Sequence, residues 1–105
     1  PMFRLTVNLR KRIKNYMKSI GISPKLSKET QEMVGCSPQS LREYIESKFV
    51  GGMSWDNYGV NGWHLDHIIP LASAKTKEEI IKLNHHTNLQ PLWSIENLKK
   101  GSKII

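Results

Sequence analysis

From Gly62 to Lys103 the chain sets two short apolar segments, WHLDHIIPL (63–71) and LQPLW (89–93), on either side of one well-punctuated helix. Trp63 to Pro70 has the content of a strand ending in a turn, because a proline there cannot donate to a sheet ladder. Thr76 and Glu79 form a capping box that opens a helix through about Leu83. Leu89 to Trp93 is a second short strand. Ser94 then caps a last helix through Lys100, closed by Gly101. Strand, inserted helix, strand, helix is the expected order, which sets the class as α+β.

The first half carries helical signals alone. Leu9, Ile13, Tyr16, Met17 and Ile20 have the spacing of one helix face over residues 5–20, ended by Gly21 and Pro24. Ser27 caps a short helix to Val34, closed by Gly35. Ser37-Pro38 starts another, with Leu41, Tyr44, Ile45 and Phe49 as its buried stripe and Gly51-Gly52 as its stop. The two short helices meeting at Gly35 have a helix-turn-helix outline, but helical hairpins of this kind are common. Residues 51–63, rich in glycine and asparagine, form an ordered loop. Trp55, Trp63, Trp93, Tyr44, Tyr58 and Phe49 supply the bulk of a small core. The expected layout is a basic helical extension over residues 1–50 and a core domain over residues 51–105.

Charge is placed unevenly. Residues 1–28 hold Arg4, Arg10, Lys11, Arg12, Lys14, Lys18, Lys25 and Lys28 and no acid, and Lys99, Lys100 and Lys103 close the chain. The formal net charge is +7. Two basic ends around a mildly acidic centre suit two contacts with a polyanion, and DNA is the expected partner. Cys36, the only cysteine, excludes an internal disulfide, and no Cys-x-x-Cys pair exists to hold structural zinc. It reads as a small core residue near a helix start. There is no apolar run long enough to span a membrane and no visible signal peptide, so a cytoplasmic location is expected.

The residues with chemical potential cluster in 62–103. Phosphodiester hydrolysis brings an electron-rich water to an electron-rich phosphate, and a divalent cation offsets the charge that develops. Mg²⁺ or Mn²⁺ prefers hard oxygen ligands, and Asp66 with Asn97 offers one carboxylate and one amide. His67, with an ordinary pKa of about 6.5, suits a general base at cellular pH. Neighbours on a strand point to opposite faces, so Asp66 and His67 share a site only if the backbone bends there. The adjacent His85 and His86 diverge too much to hold one ion and are expected at a helix end or loop.

Taken together, WHLDHIIPL followed by NLQPLWSIENLKKGSK resembles the HNH, or ββα-metal, endonuclease family, and the preceding CSPQSLREYIESKFVGGMSWDNYG resembles the stretch before the motif in phage-type members. The resemblance covers about residues 62–103. It implies a small ββα-metal (His-Me finger) core with an inserted helix and an N-terminal helical extension. It implies a metal-dependent DNA endonuclease that nicks one strand per active site. Asp66 and Asn97 would bind one divalent metal ion, Mg²⁺ or Mn²⁺, and His67 would activate water. Asn88 would bridge the loop between the strands and hold the His67 backbone. His64, two residues before Asp66 on the same strand face, is a further candidate for metal or phosphate contact. Arg10, Lys11, Arg12, Lys14, Lys99, Lys100 and Lys103 would grip DNA.

Two features depart from the family pattern. The stretch from His67 to Asn88 is longer than usual because residues 76–86 insert a helix. Gly101 stands where some members carry a further histidine ligand, which favours a two-ligand Mg²⁺-type site over a histidine-rich zinc site. A phage or mobile-element source is implied. The recognition sequence, the oligomeric state and a homing, restriction or packaging role stay open. A homodimer or a partner protein would be needed for a double-strand break. The alternative reading is a non-catalytic nucleic-acid-binding module that keeps the fold. A basic helix docking on an acidic protein is a third.

Overall fold

Leu5, Leu9, Ile13 and Met17 recur every four residues and so line one face of a helix. In the computed structural model, which describes residues 2–24, 30–59 and 61–100, that helix is α1 (Met2–Ser19), and all four side chains are fully buried. Burial of each contributes about 1.5–3 kcal/mol. The helix ends in a Schellman turn: Ile22 N–H donates to Met17 O and Gly21 N–H to Lys18 O. Gly21 takes φ +78° there, which a side chain would oppose. The start lies about a turn earlier than residue 5 and the apolar stripe extends back to Leu5, because residues 2–4 contain no proline or glycine to stop the helix.

Two short helices follow. In α2 (Thr30–Val34), Met33 and Val34 are buried; the expected cap, Ser27, lies outside the described residues. Helix α3 (Pro38–Glu46) starts where Ser37 predicts. The Ser37 hydroxyl accepts from Ser40 N–H, Pro38 opens the helix, and Leu41 and Ile45 face inward against α1. Beyond α3, residues 51–59 are ordered around a 3-10 turn at Trp55–Asn57, whose Ser54 and Asn57 form a reciprocal cap. The Gly62 backbone passes so close to Asn57 O that an added Cβ would lie 1.6 Å from it. Only glycine fits that approach.

The sheet is a single antiparallel pair. Strand β1 (Trp63–His67) pairs with β2 (Leu89–Trp93) in the register Trp63↔Trp93, Leu65↔Pro91, Asp66↔Gln90 and His67↔Leu89. Between them α4 (Lys77–Leu83) has the expected capping box. Thr76 Oγ1 accepts from Glu79 N–H, and Glu79 Oε1 accepts from Thr76 N–H. Helix α5 (Ser94–Lys100) follows β2 with no loop and packs on both strands. Ser94, expected as its cap, is instead its first residue, and the Ser94 N–H donates to Gly62 O, closing the open end of the hairpin.

The aromatic residues pack as a group. Trp63 is fully buried, stacks on Tyr58 at 4.5 Å and meets Phe49 and Trp55 at 5.1 and 5.3 Å. Its indole N–H donates to Ser54 O. The core also crosses residue 50. Leu5, Leu9, Ile13, Met17, Leu41 and Ile45 belong to one hydrophobic cluster with Trp63, Leu65 and Leu89. Two polar ties fasten α1 to the later half: Arg12 donates to Leu65 O at 2.6 Å, and the Tyr16 hydroxyl donates to Ala74 O at 2.6 Å. Helix α1 is therefore a wall of the core as well as a basic surface. Cys36 is a half-buried free thiol at the edge of this cluster, and burial raises its pKa. No helix among the described residues is long and apolar enough to cross a membrane.

Candidate active site

Strand β1 stops at His67, and the chain bends through Ile68 and Ile69 to Pro70. At that bend Asp66 and His67, neighbours on a strand, border the same cleft of about 180 Å³. Arg12 from α1 and Asn97 and Lys100 from α5 complete its polar wall. The cleft thus draws on three elements that are far apart in sequence.

Asp66 is buried and held by two donors, both on Oδ2. Gln90, its cross-strand partner, donates at 2.8 Å, and the Lys100 ammonium lies 2.8 Å away. Lys100 is itself 2% exposed and donates also to the His67 carbonyl. The ion pair and its supporting hydrogen bond fix the carboxylate in one orientation, and both contacts fall on Oδ2 and leave Oδ1 out. This differs from the expected surface role of Lys100. As the last residue of α5 it turns inward, because Asp66 and the strand-end carbonyl offer its charge better partners than open solvent.

His67 has a different environment. Its Nε2 lies 2.7 Å from Asn84 Oδ1, and its Nδ1 is buried with no hydrogen-bond partner among the described residues. The pKa of His67 is lowered below the ordinary histidine value, chiefly by burial. The Asn84 hydrogen bond and the Asp66 charge oppose the shift, while the Arg12 and Lys100 charges add to it. A neutral imidazole with a free ring nitrogen is the result.

Asn88 makes a backbone clamp. Its Oδ1 accepts from Ile69 N–H, its Nδ2 donates to Ile69 O and Leu83 O, and its carbonyl accepts from Ile68 N–H. The grip falls on the two residues after His67 and on the end of α4. The side-chain amide is committed to backbone, so Asn88 holds the bend after His67. The Asn97 side chain is half-buried and has no hydrogen bond to the described residues. It borders the Asp66–His67 cleft and two wider grooves beside it, of about 630 and 770 Å³. His64 lines both grooves, as Asn97 does, and is not among the residues that line the Asp66–His67 cleft.

The remaining basic residues separate by position. Lys11 lines the 630 Å³ groove, and Arg12 borders both groove and cleft. Arg10 and Lys14 are half-buried on α1, and Lys99 is exposed on α5. Lys103 lies outside the described residues. His85 and His86 are committed locally: His85 Nδ1 pairs with Thr87 Oγ1, and His86 Nδ1 donates to Val34 O. Among the described residues no group of three or more His, Cys, Asp or Glu side chains gathers as a metal site. The donor set facing the cleft is one carboxylate and one amide oxygen. That set suits a hard divalent cation that takes its remaining ligands from water and substrate.

Sequence reasoning missed Asn84 and Gln90. Gln90 follows from the strand register once β1 and β2 are paired. Nothing in local pattern marks Asn84, which looks like a polar residue at a helix end.

Comparison with known proteins finds two relatives, both in Acanthamoeba polyphaga mimivirus. The "Uncharacterized protein L426" is 33% identical over 103 residues, which cover 96% of this chain and 45% of that protein. The "Uncharacterized protein L246" is 30% identical over 100 residues, which cover 93% of this chain and 42% of that protein. The chain therefore spans less than half the length of the curated relatives it matches. No family model matches the chain. No solved structure matches it.

Proposed function

We propose that this chain is a metal-dependent DNA endonuclease domain of the HNH, or ββα-metal, type, with β1, β2 and α5 as its catalytic unit. The observation that carries the reading is the convergence of Asp66, His67 and Asn97 on one cleft, with the His67 Nδ1 unpartnered. Asp66 Oδ1 and the Asn97 amide oxygen would hold a Mg²⁺ or Mn²⁺ ion. When bound, the ion supplies charge neutralisation at the phosphate and at the leaving oxygen.

The chain's own residues do the rest. His67 Nδ1 accepts a proton from the attacking water, which the lowered pKa keeps feasible near neutral pH. Gln90 and Lys100 fix the Asp66 carboxylate, so the ligand does not reorganise when the substrate arrives. Lys100 also raises the local positive potential beside the scissile phosphate. Asn88 holds the bend that lets Asp66 and His67 share the cleft. Lys11, Arg12, Lys14, Arg10 and Lys99 form the basic surface around it, suited to phosphate contacts that fix the strand without reading sequence. One cleft acts on one strand, so a monomer nicks. The natural setting is a viral or mobile-element product acting in a host cell, a reading supported by the mimivirus relatives.

The buried Asp66–Lys100 pair favours one competing reading. An ion pair of this kind can be wholly structural, and the domain would then be a nucleic-acid-binding module without catalysis. Supercoiled-plasmid conversion separates the two. With Mg²⁺ or Mn²⁺ the protein is expected to produce open circle, and EDTA is expected to stop it. His67→Ala should slow nicking about 10²- to 10⁴-fold while plasmid binding stays within about twofold. Early linear product would indicate a dimer. Salt-sensitive DNA binding with no conversion in either metal would leave the binding module as the correct reading.

A further inference from the structure

Asn84 stands outside the motif that suggested the active site, yet it is fully buried and touches His67. It sits just after α4, at the helix end where a polar side chain ordinarily faces water. Two restraints bring it inside. The capping box fixes the start of α4, and Asn88 Nδ2 grips Leu83 O at its end. Helix α4 is thereby tied to the same bend that carries His67. Its last turn delivers the Asn84 amide beneath the imidazole ring, across a sequence separation of 17 residues.

The polarity of that contact is forced. Asn84 Nδ2 donates to the Ile80 carbonyl at 2.6 Å, and a carbonyl can only accept. The amide oxygen is therefore the atom turned toward His67, at 2.7 Å from Nε2. An amide oxygen also only accepts, so Nε2 must carry a hydrogen. In the neutral ring the lone pair is then on Nδ1, the one buried side-chain atom among the described residues with no partner. A single chain of donors and acceptors runs from the Ile80 carbonyl through Asn84 to the ring.

We infer that Asn84 is a positioning residue that fixes His67 in the Nε2–H tautomer and so leaves the ring lone pair on the unpartnered Nδ1. The inference rests on the nuclease reading for its purpose, but the tautomer stands or falls by itself. It also gives the inserted helix a task. In addition to lengthening the path between the strands, α4 supplies the group that orients the base.

The test reads the ring nitrogens of His67 directly. In ¹⁵N-labelled protein with EDTA present, near neutral pH, two-bond ¹H–¹⁵N spectra are expected to show a bare Nδ1 and a protonated Nε2. A His67 signal of the Nδ1–H form, or an even average of the two, would overturn the inference without any variant. Asn84→Leu, which keeps the side-chain volume but removes the acceptor, should mix the tautomers. It should slow single-turnover nicking in Mg²⁺ by at least about tenfold, with plasmid Kd within about twofold. Thr76→Ala is the control: it weakens the other end of α4, so Tm falls while the His67 ring signature and the nicking rate stay as in the wild type. Should Asn84→Leu keep the wild-type ring signature, Asn84 is a structural cap only. Should the wild type fail to nick in any metal yet show the Nε2–H ring, the nuclease reading falls and the tautomer assignment survives.

Discussion

Asp66 and His67 are consecutive, equally buried, and border the same cleft, but their partners differ in kind. Asp66 faces two donors, one of them charged, and is fully committed through Oδ2. His67 has one acceptor at Nε2 and, among the described residues, no partner at Nδ1. The first arrangement stabilises an anion and holds it still. The second keeps a base neutral and leaves one lone pair unused, an arrangement that costs stability and makes sense where the lone pair has work to do. Under the proposed reading, one site would combine a ligand held still with a base left free to react, and the two environments follow from neighbours on β2, α4 and α5.

The largest break in this comparison is Lys100→Met. It keeps much of the side-chain bulk but leaves the buried Asp66 charge without its cation, at an expected cost of about 3–5 kcal/mol in urea unfolding. Adding Asp66→Leu to the same chain should recover much of that loss, because the pair would then be replaced by apolar contact. If Lys100→Met alone is neutral in stability, the pair is solvated and Asp66 is not fixed in the way described. Gln90→Leu probes the second donor alone. One hydrogen bond to a charged acceptor is lost while Lys100 remains, so about 1–2 kcal/mol is expected by the same measurement.

The difference between the two residues also bears on what the sequence could disclose. The strands, the capped α4 and the Ser37-Pro38 start of α3 were legible because each has a local signal: a short apolar segment ended by turn or cap residues, a capping box, a cap followed by proline. Asp66, His67 and Asn97 were singled out as a set because the proposed chemistry would need those residue types, and the three line one cleft. What surrounds them was not. Lys100 was assigned to the surface by its place in a basic tail, and only the packing of α5 on β1, which brings it to Asp66 and the His67 carbonyl, turns it inward. Asn84 gave no signal, because its partner is 17 residues away and the path between them depends on how α4 folds back. The same limit hid the role of α1. Its charges suggested an arm, while Leu5, Arg12 and Tyr16 fasten it to β1 and the loop after it.

The His67 side of the comparison is open to pH. Its pKa is lowered in the fold, mainly by burial, whereas the unfolded chain titrates near the ordinary value of about 6.5. Just below that pH the unfolded state therefore binds a proton that the folded state does not. The stability linked to His67 is fully present above about pH 6.5 and is lost as pH falls from there toward the folded pKa. The slope cannot exceed about 1.4 kcal/mol per pH unit for one group. Urea unfolding between pH 5 and pH 7.5 should show this component in the wild type and not in His67→Gln. Equal slopes in both proteins would place the proton uptake elsewhere.

Lys99 and Lys100 give the comparison its smallest and most specific test, since they are adjacent, carry the same charge and differ only in where α5 turns them. Lys100 is spent on Asp66, whereas Lys99 is exposed. Replacing an exposed lysine at a helix end should leave stability within about 0.5 kcal/mol. Under the proposed reading its effect would fall on DNA binding. If Lys99 meets one phosphate, Lys99→Ala weakens binding uniformly across sequences and lowers the slope of log K against log salt by about 0.9. The slope is the informative quantity, because a misfolded variant loses affinity at every salt concentration while a missing phosphate contact changes the dependence itself. An unchanged slope in Lys99→Ala would move the DNA track away from the outer face of α5 and toward the groove beside Lys11 and His64. The cleft would then be approached from α1, with Arg12 as the first positive charge the strand meets.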